Sequence, residues 1–137
     1  MANDFVVEVN HPDDIVTARQ AGHELARQLG FSLTDVTMIA TAISEVARNI
    51  TSYAGRGEIS VGVHNRDGRP ALIVRAEDDG PGIPDVERAL EDGYSTGQGL
   101  GLGLPGARRL MDNLVVESSP GEGTVVEMWK WTPNNDR

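Results

Sequence analysis

The chain has 137 residues, 39% hydrophobic and 24% charged, which is long and apolar enough for one domain with a buried core. A formal net charge of −9 argues against nucleic acid or an anionic membrane surface as the main partner. The absence of cysteine excludes a disulfide framework, a zinc–thiolate site and a thiol nucleophile, and the only lysine, Lys130, lies outside any Gly-Lys-Ser/Thr, which excludes a Walker-type phosphate loop.

The amino end, Met1-Ala2-Asn3-Asp4, lacks the basic start of a signal peptide, and no apolar stretch is long enough to cross a bilayer. The expectation is a cytoplasmic protein. Residues 5–9, Phe-Val-Val-Glu-Val, read as a first strand. His11-Pro12-Asp13-Asp14 opens a helix with acids in its first turn, Ile15, Ala18, Gly22, Leu25 and Leu29 give it an apolar stripe, and Gly30 ends it. Ser32 or Thr34 caps a second helix that runs to about Tyr53, with Val36, Ile39, Ile43, Val46 and Ile50 as its buried face. Gly55-Arg56-Gly57 breaks it.

Two strands follow, over roughly 58–64 and 71–77, with Asp67-Gly68 marking a hairpin whose loop reads as longer than two residues. After a polar segment from Asp78, a short helix is expected near 84–91, with Pro84 suited to its first turn. The glycine-rich stretch Gly97-Gln98-Gly99-Leu100-Gly101-Leu102-Gly103-Leu104-Pro105-Gly106 then leads into a helix that ends near Asp112. Residues 114–118 and 124–131 form the last two strands around the turn Ser119–Gly123, and the tail 132–137 is expected to fray. The pattern is α+β, a single domain over 1–137: a mixed, mainly antiparallel sheet with helices on one face. Trp129 and Trp131 share a face of the last strand, and what covers that face is left open.

Four stretches carry chemistry. A glycine-rich loop entering a helix suits a phosphate chain, because its backbone approaches closely and the helix dipole favours negative charge. The match of Gly101-x-Gly103-x-x-Gly106 to a dinucleotide fingerprint fails, since no buried strand precedes it. On the second helix Glu45 and Asn49 are one turn apart, with Thr41 and Ser52 on the same side, opposite the apolar stripe. There a carboxylate can take a proton from a hydroxyl and an amide oxygen can bind Mg2+. A solvated polar face would carry the same residues.

Asp78, in Asp78-Asp79-Gly80-Pro81-Gly82, ends an apolar strand, where it can accept from the exocyclic amine of adenine and would be repelled by the carbonyl of guanine; an acidic turn is the alternative. Gly121-Glu122-Gly123-Thr124 is a hairpin turn that can also bring the Thr124 hydroxyl to the same base.

Taken in order, Glu45-x-x-x-Asn49, Asp78-x-Gly80-x-Gly82, Gly97-x-Gly99-Leu100-Gly101-Leu102-Gly103 and Gly121-x-Gly123-Thr124 resemble the N, G1, G2 and G3 boxes of the Bergerat (GHKL) ATP-binding fold, shared by gyrase, heat-shock chaperones, histidine kinases and MutL. Within it the chain is similar to the small anti-sigma-factor serine kinases, and most to the stressosome switch kinases. The segments Asp14–Gln20, Ile43–Ile50, Glu77–Asp85 and Gly103–Gly106 carry that likeness.

The resemblance implies ATP and Mg2+ as cofactors. It gives adenine to Asp78, close approach of base and ribose to Gly80 and Gly82, and the metal to Asn49. Gly99, Leu100, Gly101, Leu102 and Gly103 would wrap the phosphate tail, Glu45 would act as general base toward a partner serine, and residues 85–96 would form the ATP lid. Arg48 would steady phosphate charge or simply be exposed, and Arg19 would face a partner or be an ordinary surface arginine. The implied partners are STAS-domain substrates of the stressosome scaffold and a PP2C-type phosphatase that starts a sigma-factor cascade; a homodimer stays open. A histidine kinase is disfavoured because no phospho-acceptor helix pair precedes residue 5, and a gyrase-like ATPase because no domain carrying a lysine follows residue 137. The alternative from another class is a nucleotide-bound binding switch with little catalysis.

Overall fold

Local chemistry decides where each element starts and stops in the computed structural model, which describes residues 4–83, 85–91 and 103–133. Strand β1 (Phe5–Val9) leads into helix α1 (Asp13–Gln28). The Asp14 carboxylate reaches back over the helix start and accepts from the N–H groups of Asn10 and His11, at 2.9 and 3.1 Å. At the other end Gly30, with φ of 87°, donates to the Arg27 carbonyl while the Phe31 N–H reaches Ala26, a Schellman stop. Helix α2 (Leu33–Tyr53) is capped by Ser32, whose hydroxyl accepts from the Asp35 N–H at 3.1 Å, and Gly55 turns the chain away with φ of 85°.

Strands β2 (Gly57–Arg66) and β3 (Arg69–Asp78) form a long hairpin. Its loop is Asp67 and Gly68 alone, with φ of 55° and 82°, and Arg66 pairs directly with Arg69. Two positive φ angles make a tight primed turn whose twist matches the strands, so the expectation of a longer loop is corrected. Charged and proline residues at the tip looked like loop but still pair across the ladder. Helix α3 (Val86–Ala89) and helix α4 (Gly103–Leu110) follow, then strands β4 (Asn113–Ser118) and β5 (Thr124–Trp131). The sheet order is β1-β2-β3-β5-β4, and every pair is antiparallel.

Alternation divides the sheet. Ile59, Val61, Leu72, Val74, Ala76, Val126 and Met128 face the helices and enter one core with α1, α2 and α4. α2 is its spine: Val36, Ile39, Ile43, Val46 and Ile50 are at most 2% exposed. Burying each such side chain stabilises the fold by roughly 1.5–3 kcal/mol. A Cβ on Gly22 would overlap the end of the Ile43 side chain, so glycine is what lets α1 and α2 approach there.

The two tryptophans point away from the helices, since Met128 and Lys130 take the core side of β5. The Arg66 guanidinium stacks 3.7 Å from the ring centre of Trp129, and that of Arg69 lies 5.1 Å from Trp131. Lys130 is 9% exposed; its Nζ donates to the Leu110 carbonyl at 3.0 Å and so closes the C-terminal end of α4. No helix among the described residues is long and apolar enough to cross a membrane.

Candidate functional site

The site is organised along α2, whose middle meets α4 and whose end meets the loop after β3. Beginning at that loop, Asp78 is the last residue of β3 and Thr124 the first of β5, paired in register. Asp78 Oδ1 accepts from the Gly80 N–H at 2.8 Å, and the Thr124 backbone also donates to the carboxylate. Burial pushes the Asp78 carboxyl above the usual carboxylate range; those two backbone hydrogen bonds oppose the rise and the neighbouring Asp79 charge adds to it.

Gly80 packs against Ala54 at the end of α2, where a Cβ would come within 2.9 Å of the Ala54 Cα. Gly82 has φ of 83°, and a Cβ there would run into the Ser119 carbonyl. Both glycines therefore let one stretch of backbone approach another. The loop and the β4–β5 turn are clamped together: the Gly121 N–H donates to the Pro81 carbonyl at 2.7 Å.

Ser118 is the hub of that clamp, and sequence reasoning did not single it out. Its hydroxyl accepts from the Ile83 N–H at 2.7 Å, donates to the Gly123 carbonyl at 3.0 Å, and lies 2.9 Å from the Thr124 hydroxyl. One hydroxyl has one hydrogen, so Thr124 is the donor to Ser118 and keeps its own lone pairs available. Thr124 is 6% exposed. The available signal was the hairpin register, which sets Ser118 opposite Thr124.

Glu45 overturns the idea of a solvated face opposite the apolar stripe. It is 4% exposed because α4 lies over it, and its Oε1 accepts from the Gly103 N–H at 3.1 Å. Its Oε2 is 3.5 Å from Nη1 of Arg48, whose side chain is 27% exposed. Arg48 is thus a partner of Glu45 and more than a surface arginine. Asn49 is partly buried one turn further along α2, and Thr41 is partly buried one turn before Glu45, while Ser52 is exposed. The helix from Glu45 to Ala54 spans about 13 Å, with Gly103 at one end and Gly80 at the other.

Gly99, Leu100, Gly101 and Leu102 lie outside the described residues, as does the lid segment from residue 92 to 96. The described part, 85–91, is docked: Ala89 is in the core and the Leu90 carbonyl accepts from Arg108 at 3.1 Å. Exposed Arg19 lines a cleft of about 350 Å³ between α1 and α2, with His23, Thr37 and Thr41. Among the described residues no three His, Cys, Asp or Glu side chains are grouped to hold a metal ion. Asn49, partly buried on α2, offers a single amide oxygen of the hard type that Mg2+ takes.

The chain matches the family model described as histidine kinase-, DNA gyrase B-, and HSP90-like ATPase over residues 34–134. It is 52% identical over 118 residues to the serine/threonine-protein kinase RsbT of Bacillus subtilis, covering 86% of this chain and 89% of the relative. It is 33% identical over 124 residues to an anti-sigma F factor of Caldanaerobacter subterraneus, covering 86% and 85%. A crystal structure of the RsbU and RsbW domains of a Mycobacterium tuberculosis protein aligns with a TM-score of 0.64 and 18% identity, over 98% of this chain and 33% of that one; the likeness is one of fold.

Proposed function

The chain belongs to the histidine kinase-, DNA gyrase B- and HSP90-like ATPase family, and from that premise we propose that it is an ATP-dependent protein serine kinase of a partner-switching circuit. Its substrates are STAS-domain proteins of a stressosome scaffold, and once released it activates a PP2C-type phosphatase in a sigma-factor stress response in the cytoplasm. The observation that carries the catalytic reading is the meeting of Glu45 with the first residue of α4. A buried carboxylate and the N-terminus of the helix that the glycine-rich loop enters are one hydrogen bond apart.

Each residue has a task in this reading. Asp78 accepts from the adenine amine and disfavours guanine, and Thr124, whose proton goes to Ser118, offers lone pairs beside it. Asn49 holds Mg2+, which supplies charge neutralisation for the phosphates. The N-terminus of α4 and the loop through Gly99, Leu100, Gly101, Leu102 and Gly103 take the phosphate tail. Glu45 accepts the proton of the partner serine as Oγ bonds to the γ-phosphorus. The bond from that phosphorus to the bridging oxygen breaks, and ADP leaves with the electron pair. The 85–96 segment, closing over the nucleotide, keeps water from competing with the serine.

Transfer of labelled γ-phosphate from ATP to a panel of STAS-domain proteins tests this, with Glu45→Ala as control. Label should appear on a partner serine and fall at least about 100-fold in the variant, while ATP binding persists. Label that survives in the variant removes Glu45 from the chemistry. A second reading, a nucleotide-bound binding module with little catalysis, is favoured by the burial of Glu45, whose Oε1 is held by the Gly103 N–H. Tight ATP binding without transfer to any member of the panel would establish it.

A further inference from the structure

Glu45 is enclosed but not evenly satisfied. Oε1 accepts from the Gly103 N–H at 3.1 Å. Oε2 faces Arg48 Nη1 at 3.5 Å, and both of those buried atoms are without a hydrogen-bond partner among the described residues. Gly103 is the first residue of α4, so the carboxylate sits where the open N–H groups and the positive end of the helix dipole are strongest. Phosphate oxygens seek the same position. One N–H cannot serve both anions fully, and two anions on one helix end repel each other.

We propose that Glu45 is a built-in competitor of the nucleotide's phosphate tail, with Arg48 as its positioning residue. The phosphates take over the Gly103 N–H and the Arg48 nitrogen that makes no hydrogen bond among the described residues, and the displaced carboxylate becomes free to accept the proton of the serine. This rests on the kinase reading of Glu45 and adds to it that the base is released only when phosphates are in place. The coupling gives the chain a reason to bury its base against the phosphate helix, where a plain general base would gain from standing open to the partner.

The test is calorimetric titration of ATP, ADP and adenosine, each with Mg2+, into the wild type, Glu45→Gln, Arg48→Ala and Arg48→Lys. Glu45→Gln keeps the shape and removes the charge. It should tighten ATP and ADP about two- to fivefold, the typical range for a charge at a helix end, and leave adenosine unchanged. Arg48→Ala should weaken ATP several-fold relative to adenosine, and Arg48→Lys should restore part of the loss; a merely structural arginine would shift all three ligands alike. If the wild type binds ATP and Glu45→Gln binds it no tighter, the competition is overturned while the kinase reading stands. If the wild type binds neither ATP nor ADP, the kinase reading falls and takes this one with it. Should Glu45→Gln not fold, the amide resonance of Gly103 in the wild type decides: it should move with ATP and ADP and stay with adenosine, and a resonance indifferent to ATP overturns the inference.

Discussion

At the scale of the residue, Asp78 sets the site against the stability of the fold. Burial raises its carboxyl above the ordinary range, so between the ordinary and the raised value the folded chain holds a proton that the unfolded chain has released. Stability from this group is therefore lost as pH rises through that interval and regained on acidification. Adenine recognition runs the other way, because a protonated Asp78 is a poorer acceptor for the adenine amine. Adenosine affinity should fall on acidification at a pH above the ordinary Asp value of about 3.9. Titrations across pH on the wild type and Asp78→Asn check this. The variant should bind weakly at every pH, and a matching profile in both proteins would remove Asp78 from the base site. Asp78 was legible in the sequence as a carboxylate ending an apolar strand; Ser118 was not, because its contact with Ile83 arises only when the β4–β5 turn packs against the loop after β3.

Elements were legible to the extent that their signals are local. The stripes of α1 and α2, the Ser32 cap and the glycine stops at Gly30 and Gly55 lie in consecutive residues, and the structure has them in those roles. The tip of the β2–β3 hairpin was misjudged because its polar residues satisfy a loop as well as a paired strand, and pairing is decided by the twist of the strands on either side. The hold on α4 was invisible: Lys130, on the last strand, donates to the Leu110 carbonyl twenty residues away in sequence. Lys130→Ala leaves that carbonyl without its charged donor and should cost roughly 1–3 kcal/mol by urea unfolding. Since α4 presents Gly103 at its other end, the same variant should weaken ATP more than adenosine in calorimetry. An unchanged unfolding midpoint would show that Lys130 does not secure the helix.

At the scale of the whole molecule, one face of the sheet is covered by helices and the other carries its own apolar residues under charged cover. Arg66 and Arg69 lie over Trp129 and Trp131, and Arg66 also pairs with Glu127 at 3.1 Å. Each stacked guanidinium contributes about 0.5–1 kcal/mol when exposed. Replacing both arginines by alanine should lower stability by about 1–2 kcal/mol and increase self-association as the rings are bared, which urea unfolding and light scattering would measure together. A variant that stays equally dispersed and equally stable would mean the arginines shield nothing.

By itself the sequence determined the kinds of element, their order, most of their ends, and the residue types able to handle a nucleotide. Those are properties of short windows: a helical period, a cap, a glycine at positive φ, a carboxylate after an apolar run. Tertiary structure alone decided that Glu45 is buried and what it touches. The period of α2 places Glu45 opposite the apolar stripe, yet a period states only direction around one helix. It is the docking of α4, whose first residue is 58 positions later in the chain, that covers this side and turns an outward carboxylate into the partner of Gly103 and Arg48.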